Sequence, residues 1–191
     1  KMMKKLFFTF FFILILCNVT FADDVRVIDG DTIDLSNLHR QHLYSSRDVG
    51  KKKVDIAKQV LEKLSNHIII KTYDSFLSQS NGIEIFNDVD IIIDATDNIA
   101  TRQLIDRFSK EKNLPMIYGS LYRFEGQVGV FNMNGTIGYS ELFPKNLSGG
   151  KTCADAGVLG MLPSIIGNMQ ALEALKLITG LYSPHSGTLS L

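Results

Sequence analysis

The chain has 191 residues, enough for one domain with a sizeable core. With 45% hydrophobic and 21% charged residues it reads as a globular α/β protein rather than a disordered or fibrous one. Twenty basic and twenty acidic residues give a formal net charge of zero, so the chain carries no electrostatic footprint for nucleic acid and no such partner is expected.

The first 22 residues differ in composition from the rest. Lys1, Lys4 and Lys5 precede a Phe-rich apolar run, Leu6 to Leu16, and Thr20 and Ala22 follow like a cleavage site. That order is the pattern of a secretory signal peptide, and the run is short for a bilayer-spanning helix. Two other readings stand beside it: a buried first strand, or a misjoined leader in place of a missing segment. Of the two cysteines, Cys17 lies in this leader and Cys153 near the C-terminal end. Without the leader one thiol is left, so nothing supports a disulfide-stabilised secreted domain.

Elements then follow in order over residues 23–191. Val25–Asp29 reads as a short strand. Asp48 can cap a helix from about Val49 to Leu64, with Val54, Ala57, Val60, Leu61 and Leu64 on one stripe. On that helix, Lys51-Lys52-Lys53 reads as a solvated first turn. His67–Tyr73 is a β-branched strand, Ser80–Phe86 a short helix and Val89–Asp94 a continuous apolar strand of the doubly covered, parallel kind. Ala100–Lys110 is a helix, Pro115–Gly119 a strand, and Gly126–Phe131 a second strand able to pair with it. The Gly-, Asn- and Ser-rich stretch Gly135–Lys151 is a loop. Leu162–Thr179 is a long helix entered at Pro163 and ended by Gly180. The alternation of strands and helices argues for a parallel sheet with right-handed crossovers, helices covering both faces. Ile165, Ile166, Met169, Leu172 and Leu175 make the last helix apolar on nearly every turn, so most of its sides need burial in the core or against a partner.

The segment Ile28–Gln41, IDGDTIDLSNLHRQ, carries the most chemistry. A strand ends in Asp29, with Asp31 close behind. An acid at that position can hydrogen-bond ribose hydroxyls, and its bland alternative is a solvated turn residue. Arg40 follows within reach of the same nucleotide's phosphates, where a planar guanidinium binds bidentately. Asn37 and Gln41, on the same loop, can bind phosphate or orient Arg40. Asp97 follows the strand Val89–Asp94, and a carboxylate there can hold Mg²⁺ against phosphate oxygens; the alternative is a helix cap shared with Asn98. Asp94, which ends that strand, reads as structural. A glycine-rich phosphate loop belongs upstream of such a segment, yet the first glycine in the chain is Gly30.

This string resembles the ThiF/MoeB/HesA family, prokaryotic relatives of ubiquitin-activating enzymes. Further similar strings follow in the same order: VGKKKVDIAK (49–58), DATDN (94–98), GSLYRFEGQVGVFN (119–132) and CADAGVLGMLPSIIGNMQALEALKLITG (153–180). The resemblance runs from Val25 to Leu191 and is strongest to MoeB-like adenylyltransferases. It implies a Rossmann-like fold, here without the N-terminal strand and phosphate-loop unit, and Mg²⁺- and ATP-dependent adenylylation of the C-terminal glycine of a ubiquitin-like, MoaD- or ThiS-like sulfur carrier. It also implies a cytoplasmic protein that forms a homodimer, or a heterodimer with a paralogue. Carried over residue by residue, it assigns nucleotide binding to Asp29, Asp31, Ser36, Asn37, Arg40, Gln41, Lys53, Asp97 and Asn98. Arg40, Asp97 and Cys153 become catalytic candidates, with Asp97 on the metal. For Lys53 the alternative is an ordinary surface charge; for Cys153 it is a small, semi-buried hydrophobe. Many family members hold a structural zinc on two CxxC pairs. Here Gly138 and Glu141 occupy the first pair and the second would fall beyond Leu191, so no zinc is expected. Without the glycine loop, impaired activity is expected, with a catalytically inactive carrier-binding or dimerisation module, or a gene fragment, as alternatives. His39, His42, His67 and His185 show no metal spacing and read as surface or structural residues.

Overall fold

The computed structural model describes residues 5–9, 24–65, 67–144 and 157–181, with residues 5–9 as backbone only. The strands are β1 (Lys5–Thr9), β2 (Asp24–Ile28), β3 (Ile69–Tyr73), β4 (Ile91–Asp94), β5 (Met116–Tyr122) and β6 (Glu125–Phe131). They form one sheet in the order β3-β2-β1-β4-β5-β6; β6 alone runs antiparallel, as a hairpin with β5. The helices are α1 (Lys53–Leu64), α2 (Gln79–Ile85), α3 (Ile99–Lys112), α4 (Tyr139–Leu142) and α5 (Leu162–Thr179).

The expectation that the first strand is missing is corrected. Lys5–Thr9, inside the segment read as a leader, is the strand on which the order reverses. Leu6 pairs with Val25 of β2 on one side and with Ile91 of β4 on the other. The physical reason is that a parallel strand covered on both faces needs a short apolar run, which is also what a signal-like segment offers. Without it, β2 and β4 would each present an unpaired edge in the middle of the sheet. The connection from β1 to β2 runs through residues 10–23, outside the described residues, and contains no glycine. Among the described residues no helix is long and apolar enough to cross a membrane.

Strand alternation divides the core into two faces. Ile91 and Ile93 of β4 join Val25, Val27, Val54, Ile70, Ala174 and Leu177, which places α1 and α5 on one side. Ile92 joins Ile28, Ile85, Phe86, Ile105, Phe108 and Met116, which places α2 and α3 on the other. The expected helices on both faces are therefore present. The start of α1 differs from its expectation. Asp48 belongs to a short 3-10 turn, Ser46–Asp48, where it accepts from the Ser45 N–H and hydroxyl, and the helix begins only at Lys53. Of helix α5, Leu162, Ile166, Ala171, Ala174 and Leu177 are buried in this chain, whereas Ile165 and Leu172, like Met161 just before it, are half exposed or more.

One polar side chain sits on the buried stripe of α5. Gln170 Nε2 donates to the carbonyls of Asp94 (2.7 Å) and Ile117 (3.3 Å), tying the ends of β4 and β5 together. The approach requires Gly119, since a Cβ there would come within 2.5 Å of the Gln170 amide. Gln170→Leu keeps the volume but strips the donor from a buried carbonyl, and should lower the unfolding free energy by about 1–3 kcal/mol. A denaturant midpoint equal to that of the parent chain would show that the tie is dispensable.

Candidate functional site

In an open α/β sheet ligands bind beyond the carboxyl ends of the strands, at the point where strand order reverses. Here that point lies at β1 and β4, flanked by the ends of β2 and β4. Asp29 follows β2 directly, its N–H still donating to the Tyr73 carbonyl. Its Oδ1 accepts the Asp31 N–H at 2.8 Å, a tight turn that aims the second oxygen toward Lys53. Lys53 is buried at the first position of α1, with Nζ 2.8 Å from Asp31 Oδ2 and 3.9 Å from Asp29 Oδ2. The intervening loop is laced to itself by Ile33 N to Lys51 O, Gly50 N to Ile33 O and Lys53 N to Asp31 O. Ile33, Tyr44 and Ile56 pack as a small core beneath it. Lys53 is therefore no surface charge.

The loop between carries the remaining phosphate candidates. Asp34 caps the 3-10 turn Leu35–Asn37 by accepting the Ser36 N–H. Arg40 Nη2 donates to Asn37 Oδ1 at 2.9 Å and Nη1 to the Ser36 carbonyl at 3.1 Å. Asn37 thus holds the Arg40 guanidinium through its side-chain oxygen. Gln41 is buried, and its Nε2 reaches the same Asn37 oxygen at 3.5 Å while its Oε1 has no hydrogen-bond partner among the described residues.

At the end of β4, Asp94 is fully buried. Its Oδ1 accepts both the N–H and the hydroxyl of Thr96, and Arg102 Nε lies 3.6 Å from Oδ2. Burial pushes the Asp94 carboxyl above the usual range, against the pull of Arg102. Arg102 also donates to the carbonyls of Thr96 and Gly119 and to Ser120 Oγ. The turn Ala95–Asp97 is thus gripped from both sides, which leaves the Asp97 carboxylate exposed at the sheet edge. Arg40, Thr96, Asp97, Arg102, Ser120 and Gln170 line one cleft. Asn98, expected among the nucleotide contacts, is the N-cap of α3, its Oδ1 accepting the Thr101 N–H at 2.8 Å.

The structure therefore brings Asp29, Asp31 and Lys53 into one cluster, and Arg40 and Asp97 into one cleft. Cys153 and His185 lie outside the described residues. Of the other histidines, all exposed, His42 pairs with Ser164 Oγ at 3.0 Å. Sequence reading missed Arg102 and Gln170. For Gln170 the signal was a polar residue on the stripe Leu162, Ile166, Gln170, Ala174; for Arg102 there was none, since an Arg on a helix is ordinarily a surface charge. Among the described residues no three His, Cys, Asp or Glu side chains are grouped to hold a metal. A lone exposed carboxylate still fits Mg²⁺, which takes one or two carboxylates and completes its shell with phosphates and water.

A doubly wound sheet with an acid after β2, a buried lysine beside it, and an arginine and a second acid in one cleft at the carboxyl edge defines an open, Rossmann-like α/β domain. The chain belongs to the ThiF family, whose sequence profile matches residues 13–190. It is 44% identical over 165 residues to the "Probable molybdopterin-synthase adenylyltransferase" of Pyropia yezoensis, a match covering 85% of this chain and 44% of that protein. It is 38% identical over 174 residues to the "Sulfur carrier protein adenylyltransferase" of Thermus thermophilus, covering 87% of this chain and 64% of that one. The chain thus spans about half the length of the curated relatives it matches. The crystal structure of E. coli MccB with ATP superposes with a TM-score of 0.70 at 20% identity, over 85% of this chain and 50% of that one, a likeness of fold.

The site sets a pH dependence. Burial pushes the Asp29 carboxyl from 3.8 up to about 6; Lys53 and the Asp31 N–H pull it down, and the Asp31 and Asp97 charges add smaller upward pushes. Between those two values the folded chain holds a proton that the unfolded chain has released, so this group's contribution to stability falls as pH rises through the window and is flat above it. The contribution changes by up to about 3 kcal/mol. Asp29→Asn should erase this part of the profile, so unfolding free energies of parent and variant should diverge from pH 4 to pH 6 in the variant's favour. A constant difference across that range would place the Asp29 carboxyl at its ordinary value.

Proposed function

We propose that this chain is the nucleotide-binding domain of a ThiF-type adenylyltransferase that acts on the C-terminal glycine of a ubiquitin-like, MoaD- or ThiS-like sulfur carrier. The observation that carries the reading is the convergence of Asp29, Lys53, Arg40 and Asp97 on the carboxyl edge of the sheet, in a chain whose relatives are named for this reaction. Asp29 binds the ribose hydroxyls. The carrier's terminal carboxylate attacks the α-phosphorus of ATP, an acyl–phosphate bond forms as the bond to pyrophosphate breaks, and negative charge spreads over the phosphate oxygens. Arg40 and Lys53 stabilise that charge, with Asn37 and Gln41 holding Arg40 in place. Mg²⁺, when bound, supplies further charge neutralisation, and Asp97 is the carboxylate that holds it. ATP and carrier together place the reaction in the cytoplasm, and Cys153 is proposed as a thiol able to take up the activated carrier.

The absence of glycine from the first 29 residues favours a second reading, an inactive module that binds the carrier or pairs with a complete paralogue. The exposed Phe124, Met161, Ile165 and Leu172 supply apolar surface for such pairing. Exchange of labelled pyrophosphate into ATP, with Mg²⁺ and carrier present, separates the two. The enzyme reading expects exchange that falls about a hundredfold or more in Arg40→Ala and Asp97→Asn, in keeping with the loss of one charge-stabilising group. Carrier capture without exchange establishes the inactive module instead.

The glycine cradle of the family supplies charge-assisted contacts of roughly 1.5–3 kcal/mol each. Calorimetric titration should therefore give ATP an affinity at least about a hundredfold below that of a complete relative. Micromolar affinity would show that other groups replace the cradle.

A further inference from the structure

Among the described residues, the site as proposed assigns groups to ribose and phosphates and none to the base. A base is joined to its ribose at the anomeric carbon, so it must lie against whatever surface adjoins Asp29. Phe76, on the connection from β3 to α2, is that surface. Its side chain is 71% exposed. The ring nevertheless sits tightly on Gly30, the residue after Asp29: a Cβ on Gly30 would come within 3.0 Å of ring carbons Cδ2 and Cε2 and of the Phe76 backbone nitrogen. Gly30 is what lets the aromatic approach the ribose acid this closely.

The loop that presents Phe76 is anchored. Asn81 Nδ2 donates to the Phe76 carbonyl at 2.9 Å and to Ser75 Oγ at 3.3 Å, and Asn81 Oδ1 accepts the Ser78 N–H at 2.8 Å. The Asn81 N–H in turn donates to Ser78 Oγ, closing a capping box at the start of α2. Ring carbons Cδ2 and Cε2 thus lie against Gly30, most of the side chain is exposed, and the backbone that carries it is held by hydrogen bonds. The other exposed aromatic side chains among the described residues, Tyr122 and Phe124, belong to the β5–β6 hairpin, at the far end of the strand order from Asp29.

We infer that Phe76 is the stacking platform for the purine base of the nucleotide, an inference that rests on the nucleotide reading above. An aromatic face offers stacking with no hydrogen-bond code, so it favours large flat bases over the bare polyphosphate without choosing between adenine and guanine.

The chain has no tryptophan, so Phe76→Trp installs a single indole reporter. ATP and GTP should quench its emission, and inorganic tripolyphosphate should not. Phe76→Ala, an exposed change whose thermal midpoint should match the parent, should weaken ATP binding by about tenfold or more, while tripolyphosphate binding is unchanged. Unaltered ATP affinity in Phe76→Ala, in a chain whose parent binds ATP, overturns the inference and leaves the proposed function standing. So does equal quenching by tripolyphosphate. A parent chain that binds no ATP at millimolar concentration overturns both.

Discussion

The site depends on a lysine that has been taken out of water. Lys53 is buried where β2 ends and α1 begins, and a buried ammonium is tolerable only beside carboxylates. Asp31 supplies the close contact and Asp29 the longer one. These two partners are unlike. Asp31 is half exposed and can exchange its contact for water, whereas Asp29 is held by its turn and its surroundings, with its proton affinity raised by burial. On the proposed reading, a phosphate arriving at Lys53 would compete first with its more exposed partner, Asp31. Asp29 Oδ2 keeps the longer pairing, 3.9 Å from the ammonium. The same ion cluster sets the direction of α1, because the helix cannot begin until Lys53 has reached the end of β2.

A second polar system does for β4 what Lys53 does for β2. Asp94, Arg102 and Gln170 are all buried, and each makes contacts with backbone or side chains at the ends of β4 and β5. Polar groups placed this deep contribute little net stability, and removing one of them leaves its partners unsatisfied. Their yield is geometric. Thr96 is bonded through its N–H, its hydroxyl and its carbonyl, so the Asp97 carboxylate leaves the sheet from a fixed turn. The contrast with Asn98 is instructive: one residue further on, the chain has turned into α3, and the side chain is consumed in capping it.

Much of this was legible in the sequence where the signals were local. Helix α5 runs from Leu162 to Thr179 as read, because Pro163 at its first turn and Gly180 in the left-handed conformation are local devices. The strand Ile91–Asp94 and the acids beyond it were legible for the same reason. Two kinds of feature were not. The place of Lys5–Thr9 in the sheet follows from pairing with β2 and β4, and nothing within the run separates a strand from a leader. Asp48 has the chemistry of a helix cap, yet Ser45 claims its side chain and the backbone stays extended at Lys52. Arg102 belongs to the first kind again: its partners Ser120 and Gly119 lie on another strand, and only the fold shows that it points inward.

The arrangement has a consequence for how recognition is divided. In the glycine-loop type of dinucleotide site, phosphates are held by backbone N–H groups at a helix N-terminus, which cannot be protonated and do not move far. In this chain the positions from β1 to β2 offer no glycine for such a close approach, and the described phosphate candidates are side chains, Arg40 and Lys53, each already engaged by an internal acceptor. A phosphate that took over those donors would compete with Asn37, Ser36 and Asp31 for them. The Phe76 side chain is 71% exposed and carries no charge to exchange. On the proposed reading, the phosphate end of a nucleotide would thus compete with internal contacts of Arg40 and Lys53, a competition that stacking on an uncharged ring does not face.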